Sequence, residues 1–409
     1  MNKVFHSKSH WANQLILLGG LLFGGPLSAQ MSRTVILSAE VHKSLADAQE
    51  ALKNNQLDLA LTLTREALAS SQITAVERTA VLRTQAVVAM RNKNWDLAIG
   101  ALEFLVTSPD VAVPERLTLF ESLMNVGQQK KDNALVVRWA RQYLKEGGPK
   151  QAIRVVLIQT LAVMGEHKQV VEEMLEKIRL DRIANVNTPE QQLRLLAVSY
   201  RQLKDNAGYQ ATLRRLLEAY PSKAYWAEVI QRMAQKSNLN SRVELDLYRL
   251  LEETQNLEEA DEYSEMANLA LRAGLPSEAV RVLTKGFDAG VLGRGVDALM
   301  HAKLRADAYK KAQEDDRTFA QFEKTAKDSS SWKGVGDVYA SKQNWTAANA
   351  AYAKALELGN LRRESELRLH YAISLIKAGK KEAAREQLAA VQGDAITLDL
   401  AGLWALLAQ

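Results

Sequence analysis

The chain has 409 residues, with 53 lysines and arginines against 48 acids, 21 glycines, 7 prolines and no cysteine. The missing thiols exclude a disulfide framework, an iron–sulfur site, a lipid-bearing cysteine and a thiol nucleophile. The net charge of +5 falls to about +3 once Lys3 and Lys8 of the N-terminal segment are set aside, too little for a nucleic-acid footprint.

Few strand-and-turn punctuators and an abundance of Ala, Leu, Glu, Lys, Arg and Gln predict an almost all-α protein. The first thirty residues differ from the rest. Lys3, His6, Lys8 and His10 precede an apolar run from Leu15 to Phe23, then Gly24-Gly25-Pro26 and Leu27-Ser28-Ala29. This is the order of a secretion signal over residues 1–29, cut after Ala29. The run is shorter than a spanning helix needs, and four glycines lie between Gly19 and Gly25. No later stretch is apolar enough to span a bilayer, so the mature protein is expected in the periplasm.

Residues 30–40 read as a lead-in. From about Val41 to the C-terminus the pattern is one array of helix pairs, with apolar or small residues recurring at offsets of three, four and seven. The first pair holds Ala48, Ala51, Ala60 and Ala67 around a turn at Asn55-Gln56. The second runs Ala86, Ala89, Trp95, Ala98, Leu102 and Leu105. The third, about Val113 to Gly148, is degenerate and ends at Gly147-Gly148-Pro149. The fourth turns at Gly165-Glu166 and the fifth at Lys204-Asp205, closed by Pro221. The sixth begins at Tyr225-Trp226, and the seventh places Pro276 at the start of its second helix, where a missing N–H does no harm. The eighth, about Gly295 to Lys327, is irregular.

The ninth pair is the clearest. Trp332, Val335, Gly336 and Tyr339 share a face of one helix, and Ala348, Tyr352 and Ala355 share a face of the next. Gly336 and Ala348 are small where the helices approach, and the rings fill the space around them. This spacing resembles the tetratricopeptide repeat, with its period of about 34 residues. The tenth pair turns at Gly379-Lys380, and Leu398 to Leu407, with Trp404, is expected to form a last helix over the open end of the stack. The fold class is therefore a right-handed α-solenoid of about ten helix hairpins.

Side chains suited to catalysis are scattered. His42, His167, His301 and His370 have no metal-ligand spacing, so each reads as a surface or partly packed histidine. Gly334-Val335-Gly336 lacks the preceding strand of a phosphate loop, and Gly290 to Gly295 reads as a flexible connector. Glu258, Glu259, Asp261, Glu262 and Glu265 read as a solvated helix start, where acids favour the positive end of the dipole. Glu314-Asp315-Asp316 reads as an exposed turn, and Glu121-Ser122 lacks the surrounding domain of a glycan-cutting enzyme. No catalytic residue, cofactor or metal is expected. In a tetratricopeptide stack the first helices line a groove. Its outward positions here are Arg194, Arg201 and Gln202, then Asp261, Asn268 and Arg272, then Lys333, Asp337 and Ser341, and finally Lys377. Mixed charge at these places suits an extended peptide or a partner helix.

Three segments carry a narrower likeness: Tyr220 to Trp226, Leu245 to Leu250, and Tyr263 to Gly293. With weaker similarity from about Ser38 to Trp404, the chain resembles secreted tetratricopeptide proteins encoded beside TonB–ExbB–ExbD-type energy-transduction components. The resemblance implies a periplasmic adaptor with protein partners in such a complex, and it brings no catalytic residue. A scaffold for envelope or polysaccharide assembly is the alternative. A hydrolase would require an acid–base pair that the spacing does not supply.

Overall fold

The structure is a computed structural model that describes residues 37–235 and 239–409. The expected signal and most of the lead-in lie outside the described residues. Those residues form twenty helices and no strand, as the composition predicts.

The hairpin turns share one local device. In the first, Asn55 has φ +56° and the next N–H, on Gln56, donates to the carbonyl of Ala51 five residues back. The same bond joins Asn94 to Ala89, Asp132 to Gly127, Glu166 to Leu161, Asp205 to Tyr200, Leu275 to Ala270, Asn344 to Tyr339 and Lys380 to Leu375. Each follows a residue with positive φ: Lys93, Lys131, Gly165, Lys204, Gly274, Gln343 and Gly379. One left-handed residue therefore ends a helix, and the bond satisfies an orphan carbonyl of its last turn. Asn94, Asp132 and Asn344 then cap the next helix, each side chain accepting the N–H three residues on.

The chain divides into two compact units, one up to Tyr209 and one from Gln210 to Gln409. The first contains α1 (Ala39–Lys53), α2 (Leu57–Ala69), α3 (Ala75–Arg91), α4 (Trp95–Thr107), α5 (Val113–Lys130), α6 (Asn133–Lys145), α7 (Gln151–Val163), α8 (His167–Ile183) and α9 (Glu190–Gln202). Each helix packs on the next, so hairpin follows hairpin in chain order. One apolar core runs through them from Ala51 to Leu196. The third pair is tighter than its sequence suggests. Phe120 of α5 stacks on Trp139 of α6 at 5.4 Å, and Tyr143 is buried beside them.

After α10 (Asn206–Ala219) come α11 (Lys223–Ala234), α12 (Ser241–Glu253), α13 (Ala260–Arg272), α14 (Pro276–Asp288), α15 (Ala298–Thr325), α16 (Ser329–Ser341), α17 (Trp345–Leu358), α18 (Glu364–Lys377), α19 (Lys381–Ala389) and α20 (Ala395–Leu407). The ninth hairpin, α16 and α17, packs as its sequence predicts. A Cβ added to Gly336 would sit 2.5 Å from the Tyr352 ring. Only a residue without that carbon allows the buried ring to lie against α16.

Two features depart from expectation. The irregular eighth unit is one helix of 28 residues, and Glu314-Asp315-Asp316 lies inside it rather than in a turn. No Gly or Pro interrupts residues 298–325, and Ala, Lys, Glu and Gln favour continuation. The connector before it is packed: Leu292 is buried, and the Gly293 N–H donates to His301 Nδ1 at 3.3 Å. The other departure concerns α20. It packs on α18 and α19 as a terminal cover would, and it also reaches α12. Arg214 of α10 pairs with Asp399 of α20 at 3.2 Å. The end of the chain thus meets the beginning of its own unit.

Candidate functional site

That closure brings α12, α14, α16, α17, α18 and α20 around a cavity of about 410 Å³. Charged side chains form most of one wall, and they are joined in a chain of bonds. On α12, Asp246 and Arg249 sit one turn apart within a leucine-rich face. Arg249 donates to Asp246 at 2.7 Å and holds Glu278 of α14 with two bonds, at 2.9 and 2.6 Å. Arg281 of α14 pairs with Glu252 of α12 at 2.8 Å, and Lys285 joins the same carboxylate at 3.3 Å.

From Asp246 the network crosses to α18. His370 lies between two carboxylates, Nε2 at 3.2 Å from Asp246 and Nδ1 at 2.8 Å from Asp337. Asp337, on α16, also accepts from the Tyr352 hydroxyl at 2.8 Å and from Lys333 at 2.7 Å. Lys333 continues to Glu366 of α18 at 2.9 Å, which lies near Arg242 and Arg363. At the other side Lys377 pairs with Glu253.

The electrostatics follow from this placement. Burial alone would strip the proton from His370, but Asp246 and Asp337 outweigh it and raise its pKa to about 9. Burial likewise opposes the ionised form of Asp337, yet the imidazolium and Lys333 hold its carboxyl far below the usual range. Asp246 is lowered against burial by His370 and Arg249. With both ring nitrogens donating, the imidazolium has no lone pair to act as a base at neutral pH. Arg249 Nη1 approaches His370 Nε2 at 3.5 Å, but both are donors and share Asp246 instead. The arrangement is a saturated ion network that ties α12 and α14 to α16 and α18. Among the described residues no group of three or more His, Asp or Glu is placed to hold a metal ion.

Two lining groups are not saturated. Trp404 of α20 is fully buried, and its indole N–H has no partner among the described residues. The Ser374 hydroxyl of α18, 1% exposed, is in the same condition.

The predicted groove positions fall into three groups. Asp337, Ser341 and Lys377 line the cavity, and Lys333 adjoins it through its bond to Asp337. Ser341 faces inward rather than outward, its hydroxyl donating to the Val338 carbonyl at 2.7 Å. Asp261, Asn268 and Arg272 lie along α13; Asp261 and Arg272 are exposed, the latter bonded to Glu265 at 2.7 Å. None of the three lines the cavity. Arg194, half-buried, and Arg201 and Gln202, exposed, lie on α9 of the first unit. The acidic cluster begins α13, where Glu259 and Glu262 form a reciprocal cap. Glu121 pairs with Lys150 at 2.8 Å and Ser122 bonds back to Thr118, ordinary roles on a helix surface.

Sequence reading missed Asp246, Arg249, Glu278, His370, Ser374 and Trp404 as members of one site. One signal was present. Asp246 and Arg249 interrupt the face that buries Leu245, Leu250 and Leu251, and an ion pair on an apolar stripe marks a buried partner.

No protein-family profile matches the chain, and no curated protein matches it. Among solved structures it is similar to the TPR2AB domain–pHSP90 complex of yeast Sti1, at 15% identity and TM-score 0.32, over 66% of this chain and 98% of that one. It is also similar to the C-terminal part of a TPR repeat-containing protein from Cytophaga hutchinsonii, at 12% identity and TM-score 0.29, over 78% and 97%. A tetratricopeptide repeat protein from Parabacteroides merdae gives 11% and 0.27, over 80% and 99%. These scores carry no inference about function; the helix-hairpin architecture rests on this chain's own turns and packing.

Proposed function

We propose that the chain is a periplasmic adaptor that binds a protein component of a TonB–ExbB–ExbD-type energy-transduction complex. The observation that carries this reading is the likeness of Tyr220 to Trp226, Leu245 to Leu250 and Tyr263 to Gly293 to secreted tetratricopeptide proteins of such systems. Those segments build α11 to α14 and the start of the next loop. The signal-like N-terminus supports export. The exposed polar side chains of α13, Asp261 and Arg272, offer a surface for a peptide or helix of mixed charge. The saturated ion network supports a binding rather than a catalytic role, because its histidine has no free lone pair.

Crosslinking in the periplasm followed by recovery of the tagged full chain tests the proposal. A TonB-type or ExbB/ExbD-type protein is expected in the crosslinked fraction, and reversing Asp261 and Arg272 to Lys and Glu should deplete it. Recovery of polysaccharide-export components without any such protein would establish the envelope-assembly alternative. Hydrolase activity of the purified protein, lost on changing a cavity carboxylate, would overturn the non-enzymatic reading.

A further inference from the structure

The beginning and the end of the second unit meet along two helices, and the meeting has a register. Arg242 of α12 lies 3.6 Å from Glu366 of α18, Asp246 lies 3.2 Å from His370, and Glu253 pairs with Lys377. In each pair the second residue stands 124 positions after the first. Residues 242, 246 and 253 share one stripe of α12, and 366, 370 and 377 share the matching stripe of α18, both at offsets of four and eleven. The two helices therefore run parallel here. A slip of one turn would set Asp246 against Glu366 or Arg242 against His370, so the order of charges admits one alignment. The apolar faces point elsewhere. Leu245 of α12 belongs to a core that runs to Ala308, whereas Leu367 of α18 belongs to a separate one with Ala348, Tyr352 and Ala355. The last helix is fastened to its own side of the junction: Lys381 and Arg385 of α19 donate to the carbonyls of Gln409 and Ala408. Parting apolar faces is opposed over their whole area, but parted charges return to water. The outer pairs are already partly wet, with Arg242 51% and Lys377 36% exposed.

We propose that α12 and α18 form a charge-coded clasp that opens reversibly and uncovers the inner face of the second unit. His370, Ser374 and Lys377 lie at offsets of four and seven on α18 and all line the cavity. Ser374 sits between two of the clasp residues, so separation of α18 from α12 exposes it. The clasp is a property of this unit alone and does not depend on the adaptor reading.

The chain has no cysteine, so one introduced thiol reports alone. Ser374→Cys places it on the inner face. Ser264→Cys places it in α13, also buried but away from the cavity. Slow alkylation of each full-length protein by iodoacetamide, which is uncharged, tracks the fraction open. Adding Lys377→Glu should speed the thiol at position 374 about three- to tenfold, because an attraction to Glu253 becomes a repulsion. A new negative charge nearby lowers thiol reactivity, so the acceleration has the sign of opening. The exchange Glu253→Lys with Lys377→Glu should restore the rate to within about twofold. Raising salt from about 0.05 to about 0.5 M should also speed the thiol at 374 without any charge variant. The thiol at 264 should respond to none of these changes, which separates opening of the clasp from unfolding of the unit. The proposal is overturned if Lys377→Glu leaves the thiol at 374 unchanged, if the exchange fails to restore it, or if both thiols accelerate together. Should Lys377→Glu not fold by circular dichroism, the salt series decides, and equal rates at both salts overturn the proposal.

Discussion

Removing the imidazole at position 370 tests the ion network most directly. In the folded chain His370 titrates near pH 9, because Asp246 and Asp337 outweigh the effect of burial. In the unfolded chain it titrates near 6.5. The folded pKa is the higher, so the folded state binds the proton more tightly. The stabilisation is fully present below about pH 6.5 and is lost as pH rises through 9. A gap of about 2.5 units at 1.36 kcal/mol per unit corresponds to up to about 3 kcal/mol. The wild-type second unit should therefore lose stability between pH 6.5 and 9.5, and His370→Gln should remove most of that slope. Urea unfolding across this range, compared between the two proteins, reads the effect. An independent NMR titration of the imidazole should give a midpoint near 9. Equal pH slopes in the two proteins, or a midpoint near 6.5, would refute the placement of His370 between two ionised carboxylates.

Other substitutions test neighbouring parts of the same reasoning. Glu278→Gln leaves Arg249 buried without its two-bonded partner and should cost roughly 3–5 kcal/mol by denaturant unfolding; a change below 1 kcal/mol would show that Arg249 is solvated. Gly336→Leu drives carbon into the Tyr352 ring and should lower stability by about 1–3 kcal/mol, seen as a fall in Tm. Gly379 adopts φ +75° with open space around its Cα, so Gly379→Ala should cost about 1 kcal/mol through backbone strain alone. Asn344→Ala removes the cap of α17 and should cost about 1 kcal/mol.

The hairpins were legible in the sequence because everything that makes them is local. A left-handed residue, a bond five residues back and a cap three residues on are all contained within one turn. Gly336 meets the Tyr352 ring sixteen residues on, within the same hairpin, so the pairing of a small residue with a large one is contained in one repeat. The long α15 was misread where a run of acids suggested a turn; the absence of Gly and Pro was the stronger local signal. The ion network depended on closure. His370 meets Asp246 only because α18 and α20 return to α12, and Lys377 meets Glu253 across 124 residues of chain. No periodicity encodes such an approach. It is the sum of small rotations between successive hairpins, altered by one helix of unusual length. Helix pairs, turns and packing faces could be read directly from the residues, since each depends on side chains within one repeat. That Asp337, Ser341 and Lys377 gather at one cavity, with Lys333 beside it, rather than along an open groove became visible in the folded chain alone. Their positions depend on where distant helices come to rest.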